Sequence, residues 1–475
     1  MRASQVLSFP EGVSASADGD GKLAIEAPWG RVVLRRLAPP VRGALLRLVH
    51  PGDSVGRLAA GLGAAPGALA PFFFYVRHLL GRGLVQITAS AAGRPLATLL
   101  PTGPSFALAR RDVSDGPYLL SRFAYLRRAE GDAVLESPRS AARIILHEQR
   151  AAALACALMT PATIAHVARR VPGLSAEAAG DLASLFLGAG MLAEVDQDGA
   201  SAEDADVSLV SWEFHDLLFH ARSREGRHDV PVGDTCRFLG RLGPPPAVKP
   251  AGAGETIDLR CPDPERIALD DPPLARVMEQ RRSIRDYAAE PITAGQLGEF
   301  LYRTARVRAR WEEEVETPAG VARIEVTSRP YPSGGALFAL EIYPVVQSCR
   351  DLAPGLYHYD PAGHRLERLS AVTAEVGQLV RHAGMAAGIA AEMVQVLLIF
   401  AARFQRAAWK YESLAYALIL KEAGVLMQTM YLAATAMGLA PCALGTGDSE
   451  VFARAVGGNY YEESSVGEFL LGSTG

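Results

Sequence analysis

The sequence predicts an α+β protein, in which a carboxy-terminal domain of mixed helices and strands follows two similar winged-helix-like modules. A weak internal repeat in the first half predicts the two modules, and alternating helical and strand periodicity in the second half predicts the mixed domain. The chain has 475 residues, enough for about three folded units at roughly 150 residues each. We expect a first module at 1–100, a second module with a helical extension at 101–240, a linker at 241–265 and the carboxy-terminal domain at 266–475.

Composition and charge exclude several classes of function. The 48 basic and 52 acidic residues leave a net charge of −4, so the protein has no overall cationic field to attract nucleic acid or anionic lipid. The five cysteines contain no CxxC pair, which argues against a disulfide framework and a thiolate metal site. The amino terminus lacks the apolar core of a signal peptide, and no uncharged apolar stretch reaches the roughly 20 residues of a membrane helix. We therefore expect a cytoplasmic protein with no metal, nucleic-acid or membrane partner.

The repeat relates two segments of the first half. Residues 25–28 (IEAP) are echoed 110 positions later by 135–138 (LESP), and residues 80–84 (LGRGL) are echoed 107 positions later by 187–191 (LGAGM). In each copy the pattern predicts a β-hairpin, two or three amphipathic helices and a short strand bounded by glycine. This order is typical of a winged helix.

Two interpretations of these modules stay open. DNA binding is disfavoured, because the helices that would enter a groove, 66–80 and 175–189, lack the basic cluster that phosphate contact requires. Modules of this kind can instead bind an extended peptide as an added strand against the hairpin. The alternative is that both copies are packing scaffold.

Three segments later in the chain are interpreted from composition alone. Residues 240–254 contain 11 Pro, Gly or Ala among 15 positions, which predicts a semi-rigid, poorly packed linker. Residues 312–316 (EEEVE) predict a solvated hairpin loop. Residues 412–437 are nearly all apolar and predict a helix that is buried on almost every face, the spine of the domain or of a dimer.

Three short motifs in the second half carry the chemistry. Residues 281–285 (RRSIR) place three guanidiniums and a hydroxyl within five positions, a pattern that suits bidentate contacts to a phosphate. Residues 331–337 (YPSGGAL) predict a tight turn whose glycines let the backbone approach a flat ligand closely. Residues 438–448 (GLAPCALGTGD) predict a loop whose backbone amides face the edge of a cofactor ring. Taken singly, each motif is explained equally well as a solvated helix end, an ordinary turn or a loop.

In this order and spacing the three motifs resemble the nitroreductase superfamily of FMN enzymes, over the stretch from Leu274 to Gly472. The resemblance implies an α+β fold and a homodimer with FMN at the subunit interface. The residues that it implies for binding the FMN phosphate and ribityl chain are Arg281, Arg282, Ser283 and Arg285. The residues that it implies against the flavin are Pro332, Ser333 and Gly334, from the opposite subunit, and Leu444, Gly445 and Thr446 at the N5 edge.

A fourth motif narrows the resemblance. Residues 406–413 (RAAWKYES) stand just before the apolar helix, and their Lys410-Tyr411 pair resembles that of the SagB/ThcOx-type azoline dehydrogenases. Enzymes of that family oxidise thiazoline or oxazoline rings in ribosomally made peptides to thiazoles or oxazoles. Its members carry amino-terminal modules akin to a winged-helix peptide-recognition element, which agrees with the repeat, and residues 212–224 are also similar to theirs.

The Lys410-Tyr411 pair suits this reaction. Oxidation of an azoline requires a hydride to leave one ring carbon while a base takes a proton from the adjacent carbon. A phenol has an ordinary pKa of about 10, and a neighbouring ammonium lowers that pKa because it favours the phenolate. We therefore expect Lys410 to lower the pKa of Tyr411, which acts as the base. The alternative is that Lys410 is a surface charge and Tyr411 packs at a helix start.

The sequence thus predicts an FMN-dependent azoline dehydrogenase of ribosomal peptide maturation, with Lys410 and Tyr411 as catalytic residues. The expected partners are an azoline-containing precursor peptide, a cyclodehydratase and a second molecule of the same chain. Two other functions stay open. One is an NAD(P)H-dependent flavin reductase or nitroreductase acting on small molecules, and the other is a non-catalytic peptide-binding adaptor.

Overall fold

A computed structural model describes residues 1–17, 21–103, 105–108, 112–196, 199–252, 254–317 and 320–475. The chain divides into an amino-terminal unit, Met1–Val230, and a carboxy-terminal unit, Pro231–Gly475. Each unit has its own sheets and its own hydrophobic core.

The amino-terminal unit contains two copies of one run of elements: a strand, a three-stranded meander, a helix, a short strand, two helices and a strand. The first copy is β1 (Val6–Ser8), β2 (Ser14–Ala17), β3 (Leu23–Ala27), β4 (Gly30–Leu34), α1 (Pro39–Leu46), β5 (Asp53–Ser54), α2 (Val55–Gly63), α3 (Leu69–Leu80) and β6 (Gln86–Ala91). A single strand, β7 (Arg94–Pro101), follows it. The second copy is β8 (Pro117–Leu120), β9 (Tyr125–Ala129), β10 (Asp132–Glu136), β11 (Ala142–Leu146), α4 (Gln149–Ala157), β12 (Ala162–Thr163), α5 (Ile164–Arg170), α6 (Ala176–Gly188) and β13 (Leu192–Glu194).

The strand pairing is also repeated. In the first copy β1 lies between β5 and β6, and β2, β3 and β4 form an antiparallel meander. In the second copy β8 lies between β12 and β13, and β9, β10 and β11 form the same meander. β7 pairs with β6 on one side and with β11 on the other, so strands of both copies share one seven-stranded sheet. The internal repeat is therefore present in the fold, whereas the assignment of each copy as a winged helix stays a prediction.

The amino-terminal unit ends with three helices. They are α7 (Ala202–Ala205), α8 (Val207–Val210) and α9 (Phe214–Arg222). In α9 the ring of His220 stacks against Trp212 with 5.6 Å between centroids, which agrees with packing rather than metal ligation. Within the described ranges, no group of three His, Cys, Asp or Glu side chains is placed to hold a metal ion.

The carboxy-terminal unit is built on a seven-stranded antiparallel sheet. Its elements are β14 (Glu255–Asp258), α10 (Pro264–Asp270), α11 (Leu274–Gln280), α12 (Ala294–Ala305), β15 (Ala309–Thr317), β16 (Gly320–Ser328), β17 (Leu340–Val346), β18 (Gly355–Asp360), β19 (Arg365–Ser370), α13 (Ala374–Ala387), β20 (Val396–Arg403), α14 (Phe404–Ala408), α15 (Ala415–Ala436), β21 (Leu439–Leu444), α16 (Ser449–Val456) and β22 (Glu463–Ser473). The strand order is β14-β19-β18-β17-β20-β22-β21. One core cluster joins the sheet to α12 and α15, and another joins its opposite face to α13 and α16. The predicted α+β class is confirmed.

Helix α15 is less buried in one chain than its composition predicts. Ile419, Glu422 and Leu426 face the core, whereas Tyr416 is 46% exposed and Leu420 is 38% exposed. The helix therefore packs on the sheet with one face and leaves an apolar face open. Among the helices described, α15 is long and apolar enough to cross a bilayer, a criterion that the core helix of a soluble domain also meets.

The composition of residues 240–254 predicts a poorly packed linker, but the structure places this segment against the carboxy-terminal unit. The guanidinium of Arg406, a residue only 1% exposed, donates a hydrogen bond to the carbonyl oxygen of Pro245 at 2.8 Å. The indole N–H of Trp409 donates to the carbonyl oxygen of Leu242 at 2.7 Å. Buried donors need acceptors, and a backbone outside the sheets has free carbonyl oxygens to supply them.

The acidic run 312–316 is part of a strand and not a loop, so that prediction is wrong. It lies in β15, which pairs along its whole length with β16 in an isolated two-stranded ribbon. Glu314 pairs with Arg323 across this ribbon at 2.9 Å. A ribbon that is largely exposed to water accommodates consecutive charged residues as readily as a loop does, and for this reason composition alone does not distinguish the two.

Candidate functional site

Residues 281–285, which we call the arginine turn, follow α11 and lie beside β21. Ser283 Oγ and the hydroxyl of Tyr431 are 2.6 Å apart. The same hydroxyl oxygen accepts a hydrogen bond from the backbone N–H of Ala443 at 2.8 Å. Tyr431 therefore connects the arginine turn, helix α15 and strand β21 through one phenol group.

The arginine turn presents its positive charge to solvent. Arg282 and Arg285 are exposed, and Arg281 is half-buried with its guanidinium carbon 5.2 Å from the centroid of the Tyr431 ring. In the part of the chain that the structure describes, none of the three forms an ion pair with a carboxylate. Three neighbouring cations without counter-ions repel one another, and a bound phosphate would relieve that repulsion.

Strand β21 carries the predicted N5-edge residues to the arginine turn. Leu444 is the last residue of β21, directly after the Ala443 that bonds Tyr431, and Gly445 and Thr446 follow it on the surface. Burial raises the pKa of the Cys442 thiol on the same strand. The structure thus brings together two of the three motifs from the second half of the sequence.

A second group of predicted residues is centred on the turn 332–334. Ser333 Oγ donates to Glu422 Oε2 on α15 at 2.7 Å and accepts the N–H of Phe338 at 3.0 Å. Burial raises the pKa of Glu422, and its other oxygen has no partner among the described residues. These two hydrogen bonds fix Ser333 relative to α15, so the turn 332–334 is held in place against this helix.

Gly335 joins this turn to the Lys410-Tyr411 pair. Its φ of +59° is in the left-handed region, and a Cβ at this position would overlap the Tyr411 hydroxyl and lie 3.0 Å from Lys410 Nζ. Lys410 is only 6% exposed, and its Nζ lies 5.6 Å from the centroid of the Tyr411 ring. Both functional groups therefore meet at the backbone of the turn.

The prediction that Tyr411 has a lowered pKa is wrong. The pKa of the Tyr411 phenol is raised, first by burial and then by the negative charges of Asp234 and Glu313. Tyr411 packs beside Cys236 in a small apolar cluster, where water cannot stabilise a phenolate. The sequence shows only that Lys410 is next to Tyr411. The fold also brings Asp234 and Glu313 near the phenol, and the sequence order gives no reason to expect these carboxylates there.

The two groups are separate within one chain. The turn 332–334 contacts α15 at Glu422, whereas the arginine turn contacts it at Tyr431, nine residues and about 13 Å further along the helix. Nine residues at about 100° each also point the two side chains in opposite directions. Among the residues described, no hydrogen bond or ion pair joins the arginine turn to the Lys410-Tyr411 pair.

Sequence reasoning missed two residues that organise the site. The sequence predicts only a packing role for Tyr431, and it presents Glu422 only as a charge in an apolar stretch. Each is a polar group in the interior of an apolar helix, and such groups are normally hydrogen-bonded. That rule is the signal that points to both residues from the sequence.

We predict that Gly335→Ala displaces Tyr411. The left-handed backbone costs an alanine roughly 1 kcal/mol, and the new methyl group occupies the space of the Tyr411 hydroxyl. Gly388→Ala is the matched control, because Gly388 has a φ of +72° but nothing lies within 4 Å of the point that its Cβ would occupy. Both variants should lose similar stability in thermal unfolding, and only Gly335→Ala should lose the azoline oxidation that the sequence predicts. Equal activity in the two would contradict the contact.

Comparison with known proteins identifies the class. A nitroreductase-family model matches residues 278–472. A protein of Methanocaldococcus jannaschii that is named as a nitroreductase is 29% identical over 192 residues, which are 40% of this chain and 85% of that relative. The carboxy-terminal unit is a nitroreductase-family domain.

A second match specifies the group. A family model of the cyanobactin oxidase ThcOx matches residues 118–229. With both matches, the chain combines a ThcOx-like region with a nitroreductase-family domain, and it is an oxidoreductase.

Solved structures give weaker likenesses. A nitroreductase from Anabaena variabilis has a TM-score of 0.37 and 22% identity, and it covers 54% of this chain, which in turn spans 45% of that protein. The microcin synthetase McbBCD complex of E. coli, with truncated pro-MccB17 bound, contains a chain that matches with a TM-score of 0.34 and 18% identity. The match covers 54% of this chain and 91% of that chain.

Proposed function

We propose that the protein uses FMN to oxidise thiazoline or oxazoline rings of a ribosomally made peptide to thiazoles or oxazoles. The observation that carries the proposal is the meeting of the Lys410 ammonium and the Tyr411 hydroxyl at the Gly335 backbone. A proton acceptor and a cation held against a flat turn are the groups that deprotonation of a ring carbon requires. The match of residues 118–229 to the ThcOx model supports the same reaction.

The residues present fit FMN. Arg281, Arg282 and Arg285 offer three guanidiniums without carboxylate partners in the described structure, and Ser283 adds a hydroxyl fixed by Tyr431. Together they would hold the phosphate. Bound FMN supplies the two-electron acceptor for the oxidation, as is typical of the nitroreductase family. The backbone of Leu444, Gly445 and Thr446 would line the flavin at the end of β21.

Tyr411 takes the proton in this proposal. Once the Tyr411 phenol has released its proton to solvent, the azoline loses one hydrogen as a proton to the Tyr411 oxygen, and the other hydrogen would leave the neighbouring carbon with its electron pair for the acceptor that bound FMN would supply. Lys410 stabilises the phenolate when a substrate displaces water from the turn, because the ammonium is itself almost fully buried. The raised pKa means that the unliganded protein holds the phenol protonated.

A homodimer completes the site. In one chain the arginine turn and the turn 332–334 lie on opposite sides of α15, so one cofactor cannot contact both. The open apolar face of α15, with Tyr416 and Leu420 exposed, is the surface that a second molecule would cover. We therefore propose that each FMN lies between the arginine turn of one molecule and the turn 332–334 of the other.

The remaining partners follow from the substrate. An azoline is made from Cys, Ser or Thr in a peptide by loss of water, so a cyclodehydratase must act first. We propose that the precursor peptide is held by the amino-terminal unit and that the protein works in the cytoplasm, where such peptides are made.

An absorption spectrum of the purified protein tests this function. We expect a flavin band in the blue, and we expect an azoline peptide to bleach it under anaerobic conditions with formation of the azole. The matched control is the same peptide with unmodified Cys, Ser or Thr, which should leave the band intact. A colourless protein that takes up no FMN would contradict the proposal and favour the adaptor.

The raised pKa of Tyr411 predicts the pH dependence. The active form of a base is the deprotonated one, and a raised pKa moves its formation to higher pH. The rate of azoline oxidation should therefore keep rising through the alkaline range, measured as kcat against pH with saturating peptide. Tyr411→Phe should abolish this rise. A plateau that is already reached at neutral pH would show that another group is the base.

One observation also favours a second function. A phenol that stays protonated in a buried site is no obstacle to NAD(P)H-driven reduction of small molecules, because that reaction needs no base. If NAD(P)H bleaches the flavin and azoline peptides do not, the protein is a reductase.

A further inference from the structure

The Lys410 ammonium is a buried cation without an acceptor. Lys410 is 6% exposed, and among the described residues its Nζ forms no hydrogen bond and no ion pair. The ammonium lies over the ring of Tyr411 and 3.0 Å from the point that a Cβ of Gly335 would occupy. A buried charge is costly unless a polar group pairs with it. This ammonium therefore points to a ligand that supplies an acceptor at the turn.

A short stretch of chain places one carboxylate across from Tyr411. Gly233 and Glu412 form an antiparallel bridge, in which the N–H of Glu412 donates to the carbonyl oxygen of Gly233 at 2.8 Å. One residue along each chain from this bridge, Asp234 is opposite Tyr411, and residues opposite each other in an antiparallel pair are neighbours. Asp234 is exposed, and its carboxylate has no hydrogen-bond or ion-pair partner in the part of the chain that the structure describes.

The β15–β16 ribbon supplies a second carboxylate. Glu313 is paired with Ile324, so the two side chains lie on one face of the ribbon. Ile324 is buried and belongs to the apolar cluster in which Tyr411 packs. Glu313 therefore faces Tyr411 and is half-buried, whereas Glu312 is exposed on the opposite face. Glu313, too, lacks a partner within the described ranges.

Asp234 and Glu313, which we call the acidic rim, are not neutralised by nearby basic residues. The arginines of the ribbon and of the stretch that carries Asp234 are each paired with another carboxylate: Arg310 with Glu325, Arg323 with Glu314 and Arg237 with Glu412. The charges of the acidic rim both act on the Tyr411 phenol and raise its pKa. Two unpaired negative charges beside one group attract a cation from outside the chain.

We infer that the acidic rim binds a lysine or arginine side chain of the substrate peptide, adjacent to the ring that lies against Tyr411. Asp234 and Glu313 pair with this cation, and the Lys410 ammonium finds its acceptor in a backbone carbonyl oxygen of the same peptide. The preferred substrate is thus an azoline next to a basic residue. The identity of the ring rests on the proposed function, whereas the choice of a cation rests on the charges of the rim.

Azoline peptides that differ only in the residue beside the ring test this specificity. The value of kcat/KM is measured for the full protein with Lys, Gln or Glu on either side of the azoline. On one side, the Lys peptide should exceed the Gln peptide by about tenfold, and the Glu peptide should fall below both, because like charges repel. At about 0.5 M salt the advantage of Lys should shrink, since salt screens partly exposed charges.

Variants of the rim locate the contact. Glu313→Gln and Asp234→Asn should each reduce the preference for Lys, and Glu313→Lys should reverse it in favour of the Glu peptide. Glu312→Gln is the matched control, because it makes the same change of charge one residue away on the opposite face of the ribbon. It should keep the preference. Far-ultraviolet circular dichroism checks that the variants are folded.

A binding measurement separates this specificity from the proposed reaction. Labelled peptides that carry the finished azole cannot be oxidised, and their dissociation constants are measured by fluorescence anisotropy with the full protein. The Lys peptide should bind about tenfold more tightly than the Gln peptide, and Glu313→Gln should remove most of this difference. A protein that shows the preference in binding but oxidises no azoline would refute only the proposed function.

Three results would overturn the inference. One is equal kcat/KM and equal affinity for the Lys, Gln and Glu peptides. Another is a preference for Lys that persists when Asp234→Asn and Glu313→Gln are combined, or that Glu312→Gln reduces as much as Glu313→Gln does. The third is the absence of binding for every peptide at millimolar concentration.

Discussion

Replacing Tyr411 by Phe should lower the rate of azoline oxidation by about 10²–10⁴-fold, the usual contribution of a positioned base. The substitution removes one oxygen atom at the point where the phenol meets Gly335 and leaves the half-buried ring in its apolar cluster. The protein should therefore fold and bind FMN normally. The measurement is kcat for an azoline peptide, with FMN content determined from the absorption spectrum.

Tyr461→Phe is the control for that experiment. Tyr461 lies between α16 and β22 and is 82% exposed, so loss of its hydroxyl should change kcat little. Reduction of the flavin by dithionite should be unaffected in both variants. If Tyr411→Phe keeps full azoline oxidation, the proton goes elsewhere and the catalytic assignment is wrong.

Replacing both Arg282 and Arg285 by Ala should weaken FMN binding by about 10²-fold or more. Hydrogen bonds to a charged partner contribute about 1.5–3 kcal/mol each, and both side chains are free to meet a phosphate in the described structure. The dissociation constant is measured by quenching of FMN fluorescence on titration with apoprotein.

The apoprotein should not be destabilised by this double change, because it removes two like charges that lie close together. Arg276→Ala, which removes an exposed arginine of α11 outside the turn, should leave FMN affinity unchanged. Unaltered affinity in the double variant would mean that the arginine turn does not hold the phosphate. A change in affinity for riboflavin as large as that for FMN would lead to the same conclusion.

The local motifs were predictable because their chemistry is contained in a few consecutive residues. Three arginines in residues 281–285 indicate a cluster of positive charge whatever the surroundings, and the glycines of 331–337 indicate a turn. The repeat was visible because two stretches of sequence keep their spacing. These features need no knowledge of what the fold brings near them.

The features that escaped prediction depend on long-range contacts. The pKa of Tyr411 is set partly by Asp234 and Glu313, each far from it in sequence. The segment 240–254 has the composition of a linker, yet Arg406, more than 150 residues later, binds its backbone. Tyr431 is one of several apolar-helix residues in the sequence, and only its contacts with Ser283 and Ala443 distinguish it.

Strand β7 has a consequence for how this protein can be divided. It is hydrogen-bonded on both edges, to β6 of one copy and to β11 of the other, so a cut near residue 100 would remove an interior strand from a continuous sheet. Either fragment would carry a newly exposed ladder of unsatisfied backbone groups, the kind of surface that drives aggregation. Truncations intended to isolate a single repeat should therefore yield insoluble material, and the smallest soluble piece of this half should retain both.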